Sequence, residues 1–389
     1  MGNQETALFE NLEPLPFPLG HCQCVIHKHE ILICGGHTRA ACLSYNTQKN
    51  QYKRICNYPV RIANDSHCVV KRVNSNNPDD ITLLSFGGNK FSGRHTLMMK
   101  YVSVWDNLKK ADQCFNEWTH LTDNQGKPIF FGEERDNYSG ARAVVGGANN
   151  NLLFVTYYPK SIEVFDFDTF QLIHFAYLPT NYNFSIHYHF CTAIRPFKHY
   201  ACVYINDVIL FFGGLSQHLR PNNFAINDIF RYSIREDRWT KFERTLPLAL
   251  CDCVGILNED NKSVHIIGGS DVDKGIVLAH MKTNVQEWMK GETEKEKQWA
   301  VEEEEIRELE EMKNNLQIGR LEKKQETIKM VVEHWFRSSL VNMIWIDDLT
   351  KIVSLYVMVY FVDYLCFFII CAQSNTKKKI SPKMNTYKH

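Results

Sequence analysis

No sign of charge dominates this chain: 44 Lys and Arg balance 44 Asp and Glu across 389 residues. A balanced chain carries no field that would draw it to nucleic acid, so no nucleic-acid partner is expected. Met1-Gly2-Asn3-Gln4-Glu5 is polar and no apolar run follows it, which excludes a secretory signal peptide from the reading. A P-loop, a dinucleotide fingerprint and a nucleophile elbow are all missing, leaving no catalytic motif to build on. Zinc-knuckle spacing is missing as well. Cys22-Gln23-Cys24 and Cys251-Asp252-Cys253 hold one residue between the cysteines where such a site needs two or more.

What the chain does have is a repeat. A small residue followed by valine leads to a run of apolar β-formers that usually ends in paired glycines. Cys24-Val25 runs to Ile33-Cys34-Gly35-Gly36, Cys68-Val69 to Ser85-Phe86-Gly87-Gly88, Cys202-Val203 to Phe211-Phe212-Gly213-Gly214, and Cys253-Val254 to Ile266-Ile267-Gly268-Gly269. A degraded copy starts at Ala143-Val144 and ends at Tyr157-Tyr158 in place of the glycines. After the run comes an apolar residue with a bulky partner seven positions on: Tyr45 and Tyr52, Phe165 and Leu172, Tyr232 and Trp239, Met281 and Trp288. In the second copy the pair reads Trp105 and Trp118, split by a charged insertion. Each unit therefore reads as four short strands, at a period of roughly 50 residues. The glycines fall where close backbone approach and positive φ would be needed.

These motifs together resemble the kelch repeat, the four-stranded blade of one family of β-propellers. The resemblance covers residues 7–290. It implies an all-β propeller of four-stranded kelch blades, five recognisable here and six as the number typical of the family, followed by a C-terminal α-helical tail. The last unit lacks a clear fourth strand. The segment from Phe9 to Pro16 is similar to that from Trp239 to Pro247, so the N-terminus is expected to complete the last blade and remove an open edge. Between Pro179 and Cys202 two segments each read as a first strand, Ser185 to Cys191 and His199 to Val203. They fit either a long loop or the remnant of a sixth blade.

The repeat register also bears on the reactive side chains. Cys24, Cys68, Cys202 and Cys253 share a place with Ala143, so that place is read as small, apolar and buried rather than as redox or metal chemistry. His21 and His67 follow the register too, and no convergent ligand set is apparent. No metal, cofactor or catalytic residue is expected.

The resemblance points instead to the loops after the glycine pairs as the surface that meets a protein partner. Carried onto this chain, that surface is His37, Thr38 and Arg39; Asn89, Lys90, Arg94 and His95; Ser216, His218 and Arg220; and Asp271 with Asp273. Three of these loops are basic and the fourth is acidic, a set that would suit an acidic peptide.

Residues 1–290 are read as the propeller, 291–340 as a charged helical segment and 341–389 as a helical, apolar tail. Thr293 and Glu296 make a capping box. Ile306, Leu309, Met312 and Leu316 trace a thin apolar stripe that breaks near Gly319. A solvated single helix fits this better than a coiled-coil seam over 294–318.

Residues 352–372 hold one charge, Asp363, over a length that spans a bilayer core. A buried charge there costs about 2.5–3.5 kcal/mol, so a membrane anchor, a buried helix and a non-native tail all stay open. The location expected is cytoplasmic, with membrane association through this segment if it is an anchor.

The function expected is a non-catalytic interaction scaffold. The alternative is a ubiquitin-ligase substrate adaptor recruited through the C-terminal helices, because no room precedes the first blade for a BTB or F-box segment. A kelch-type metal oxidase ranks third.

Overall fold

A computed structural model describes residues 8–308 apart from 37–39, 61, 63–66, 75–76, 90–92, 107–114, 148, 160, 178–196, 217–223 and 272–274. A short strand, β1 (Glu10–Asn11), opens the chain. Blade 1 is β2 (Gln23–His27), β3 (Glu30–Cys34), β4 (Ala41–Asn46) and β5 (Gln51–Asn57). Blade 2 is β6 (Cys68–Asn74), β7 (Asn77–Gly87), β8 (His95–Tyr101) and β9 (Thr119–His120). Blade 3 is β10 (Asn137–Gly146), β11 (Leu152–Tyr158), β12 (Ser161–Asp166) and β13 (Leu172–Tyr177).

Then β14 (Phe197–Lys198) pairs with β17 (Leu215–Ser216), which pairs with β18 (Phe224–Ala225), in a small sheet beside blade 4. Blade 4 itself is β15 (Ala201–Ile205), β16 (Val208–Phe212), β19 (Ile229–Ser233) and β20 (Arg238–Lys241). Blade 5 takes β21 (Val254–Leu257), β22 (Ser263–Ile267) and β25 (His280–Asn284), with a minor hairpin, β23 (Ser270–Asp271) and β24 (Gly275–Ile276), between the last two. Five four-stranded antiparallel sheets result, and they form a five-bladed β-propeller.

The burial pattern follows from this arrangement. Every residue of β3 is buried, because the second strand of a blade is covered on both faces by its neighbours. Four apolar clusters among the described residues lie between blades 1 and 2, 2 and 3, 4 and 5, and 5 and 1. The sevenfold spacing of bulky residues has a plain origin. Tyr45 faces Tyr52, Phe165 faces Leu172 and Tyr232 faces Trp239 across the turn between third and fourth strands. In blade 1 that turn is held by Asn46 Oδ1, which accepts from the amides of Gln48 and Lys49 at 3.1 and 2.9 Å.

The N-terminus does complete blade 5. Glu10 pairs with Lys282 and Asn11 with Met281, and the Leu12 and Leu15 N–H groups extend the contact by donating hydrogen bonds to the carbonyls of His280 and Leu278. Trp288, expected on a fourth strand, instead ends a helical turn, α1 (Val285–Trp288), and is fully buried against Phe9, Phe212 and Phe242. Trp105 is likewise off its expected strand. Tyr101 takes the place opposite Ile81, and the Trp105 indole N–H donates to Ser44 of blade 1 at 2.8 Å.

The repeat register also needs correction. Cys24, Val69, Ala143, Cys202 and Gly255 each face the residue two before the glycine position, so these five are equivalent, not the four cysteines. A one-residue slip changes the face a side chain meets. Cys68 stands one residue before Val69, on the other face, and is buried; Cys253 stands two before Gly255 and is also buried, whereas Cys24 is half-buried and Cys202 exposed. Two residues earlier the place is small and buried in three blades, at Cys22, Ala141 and Cys253, and holds His67 and Tyr200 in the other two.

The charged segment docks on blade 4. Glu292 accepts from Arg238 and Thr240 at 2.8 and 2.7 Å, and from Arg231. The capping box forms as expected, with Thr293 N–H donating to Glu296 and Glu296 N–H to Thr293 Oγ1 at 3.0 and 3.2 Å. It opens α2, described over 294–308. The expectation of a solvated helix fails for its first turns. Glu296 and Ala300 are buried, and Trp299 packs on Phe230. Residues Met1–Glu305 form one compact unit. Segment 352–372 lies outside the described residues, as do 309–318 and Ser185 to Cys191. No helix among the described residues is long and apolar enough to cross a membrane.

Blades 5 and 1 meet at a wholly buried pair of imidazoles, His265 Nδ1 and His280 Nε2, 3.0 Å apart and packed on Tyr45. Burial, together with Lys282, pulls His265 down to about 4, and burial with His265 beside it pulls His280 down to about 3. An unfolded chain binds protons at these sites below about pH 6.5, and the native fold does not. Stability should therefore be full above that pH and fall by roughly 2 kcal/mol per imidazole between pH 6.5 and 5. Urea midpoints across that range check it; a flat profile opposes it.

Deleting the first fourteen residues should lower the melting temperature of the whole domain. Phe9→Ala alone should cost about 3 kcal/mol, measured by urea unfolding.

Candidate functional site

Antiparallel pairing brings the start of each first strand beside the glycine end of the second, as with Gln23 opposite Cys34. One face of the propeller therefore carries both the loops after the glycines and the residues leading into the innermost strands. His21, Gly140, His199 and Asp252 each sit three residues before an equivalent strand position and all have left-handed backbones, with φ of 56°, 81°, 60° and 57°. Histidine and aspartate tolerate that region better than branched or bulky residues do. The blade 2 counterpart, Ser66, lies outside the described residues. Main-chain bonds join these residues in a staircase. Asp252 N–H donates to the His199 carbonyl at 2.8 Å, and His21 N–H to the Asp252 carbonyl at 3.1 Å.

The staircase converges three side chains from blades 4, 5 and 1. His199 Nδ1 hydrogen-bonds Asp252 Oδ1, and His21 Nε2 lies 3.4 Å from the same oxygen. The two imidazoles meet edge to face at 5.8 Å. All three remain partly open to solvent, at 19%, 13% and 20% for His21, Asp252 and His199. Burial alone would push the Asp252 carboxyl up, but the hydrogen bond from His199 and the two imidazoles outweigh it and hold the carboxyl below its usual range. Cys251 Sγ donates to the other carboxylate oxygen at 3.5 Å, and burial lifts that thiol to about 12. Such a trio can share a proton or hold a cation.

The sequence reading assigned His21 to repeat register and passed over His199 and Asp252. The signal was present in the strand register. Once Gly255 rather than Cys253 is aligned with Cys24 and Cys202, Asp252 falls on the same repeat position as the two histidines.

The loop residues proposed from the family resemblance fare differently. His37, Thr38, Arg39, Lys90, His218, Arg220 and Asp273 lie outside the described residues. Asn89 Nδ2 donates to Ser139 Oγ at 3.0 Å, tying blade 2 to blade 3. Arg94 donates to the carbonyls of Phe131 and Gly132, the latter at 2.8 Å, and lies over the Phe130 ring. His95 is not on a loop; it is buried in β8 beside Ser85 and Tyr58. Ser216 pairs with Phe197 and Phe224 in the small sheet, and Asp271 with Gly275 in the minor hairpin.

In blade 3, Tyr157 occupies the glycine position. It is buried, stacks on Tyr138 at 4.3 Å and donates to Glu163 at 3.0 Å.

The outermost strands show a further contrast. Blade 1 edges with Lys53 and Arg54, blade 4 with Arg238 and Lys241, and blade 5 with Glu10. The edges of blades 2 and 3 have no lysine, arginine or acid, but β9 is two polar residues whereas β13 runs over six. Its Leu172, Ile173, Phe175 and Tyr177 are 52%, 56%, 42% and 61% exposed. A register shift falls between Val164 and Phe165, leaving Ile173 as the bulged residue, while Phe175 and Tyr177 pack edge to face on one side.

Replacing Arg94 by alanine should destabilise the protein by about 1–3 kcal/mol, because two carbonyls lose a charged donor. Urea unfolding measures the loss, and limited proteolysis should report earlier cleavage around Phe131.

No family model matches the chain, and no curated protein matches its sequence. Among solved structures the chain is similar to one described as "Structure of YjhT", at 12% identity over 69% of this chain and 96% of that chain, with a TM-score of 0.41.

Proposed function

We propose that this chain is a non-catalytic protein-interaction scaffold, a kelch-type propeller that takes up an extended segment of a partner protein along blade 3. The observation that carries this reading is the edge strand β13. Edge strands are normally blunted by charge, proline or cover, because a bare row of N–H and C=O groups templates the addition of another strand. β13 instead presents four large apolar side chains to solvent. An added strand would gain main-chain hydrogen bonds for affinity and side-chain contacts with Phe175 and Tyr177 for selectivity. The post-glycine loops are the second contact surface implied by the family resemblance, and their basic residues suit an acidic stretch in the same partner.

Proximity labelling in cells, comparing the full chain with a double variant, Ile173→Lys and Phe175→Lys, tests this. Both positions are exposed, so the melting temperature should hold while a reproducible subset of labelled proteins disappears. An identical labelled set from both proteins would reject β13 as the docking strand. Cullin-ligase components that persist in the variant would favour the adaptor role instead.

A further inference from the structure

Beyond the interaction scaffold, we propose that His21, His199 and Asp252 bind one divalent transition-metal ion of the zinc class at the inner rim of the propeller, cross-linking blades 4, 5 and 1. Their donor atoms all lie within 4.8 Å of one another. Zinc with bonds of about 2.0–2.1 Å sets neighbouring tetrahedral donors roughly 3.3 Å apart. The 3.4 Å between His21 Nε2 and Asp252 Oδ1 matches that edge. The hydrogen-bonded His199–Asp252 contact is closer, so that pair must part to that edge and release its proton when the ion binds.

Donor chemistry narrows the ion. Two imidazoles with one carboxylate suit zinc, cobalt or iron, whereas calcium and magnesium favour all-oxygen sets. Thiols of the neighbourhood are poor rivals. Cys253 and Cys251 are buried, and Cys251 is already engaged with the carboxylate oxygen that the imidazoles leave aside. That contact orients Asp252 in the manner of an outer-sphere partner.

Placement is fixed by the main chain rather than by the side chains themselves. The bonds from Asp252 to His199 and from His21 to Asp252 hold three left-handed backbones at set separations before any ion arrives. The partial exposure of the three side chains leaves a path for the ion and room for water to complete its shell.

The full-length protein, stripped with a chelator, is titrated with Co²⁺ and separately with Zn²⁺. The expected result is one equivalent bound, a visible cobalt spectrum of nitrogen and oxygen ligation without a thiolate charge-transfer band, and a rise in melting temperature with Zn²⁺. Asp252→Asn should weaken binding by about 100-fold or more, since even outer-sphere losses cost 10- to 100-fold. His174→Ala, which removes an exposed histidine of β13, should change nothing.

If Asp252→Asn fails to fold, His21→Asn gives the same reading, because asparagine accepts the left-handed backbone. The proposal is overturned by equal binding in wild type and either variant, by a thiolate band, or by no stoichiometric binding at millimolar Co²⁺.

Discussion

Neighbouring blades are held in place by main chain meeting main chain at the inner end of the sheets. Gly213 has φ of 66°, and a Cβ there would stand 2.3 Å from the Leu250 carbonyl oxygen; Gly268, also at 66°, would meet the Leu19 carbonyl at the same distance. Leu250 and Leu19 belong to the segments that lead into the next blade, and both are fully buried. The Gly214 and Gly269 amides donate to those same carbonyls at 2.7 and 2.8 Å. No side chain fits between. The wedge angle of the propeller, the line of left-handed residues and the convergence of His21, His199 and Asp252 all depend on that contact.

Polar groups inside the sheets are treated consistently. Glu30 of β3 is buried yet accepts from Ser44 and Tyr101. Glu163 of β12 accepts from Tyr138 and Tyr157. Burial raises its carboxyl above the usual range even against the two phenols. Glu30 takes its phenol partner from blade 2, whereas both phenols on Glu163 come from its own blade, from β10 and β11. A buried acid with satisfied oxygens restricts which packing of neighbouring blades is tolerable.

Much of this was legible in the chain. The glycine runs, the aromatic pairs at seven residues and the likeness of Phe9–Pro16 to Trp239–Pro247 each report a local constraint, and each corresponds to an observed strand, turn or edge. What was misread depended on register. Cysteine recurrence looked like alignment but concealed a slip between blades, because a strand pattern of period two gives no warning when the partner strand shifts. Trp105 resembled a strand aromatic because the insertion after it hid Tyr101. The rim triad was invisible for a different reason. Its members are far apart in sequence and become neighbours only when blades 4, 5 and 1 are set side by side. The exposed edge of blade 3 was likewise unreadable, since Leu-Ile-His-Phe-Ala-Tyr looks like any buried strand until its neighbours are known.

The pairing of β1 with β25 has a consequence in time. Residues 11 and 281 are partners, so β1, once clear of the ribosome, waits for β25 to follow about 270 residues later. At typical synthesis rates of 5–20 residues per second, that wait lasts roughly 15 to 55 seconds. During it Phe9 has no Trp288 to pack against, and blades 1 to 4 accumulate with one flank uncovered. The seam that makes the finished ring continuous is thus also the step that keeps it unfinished longest.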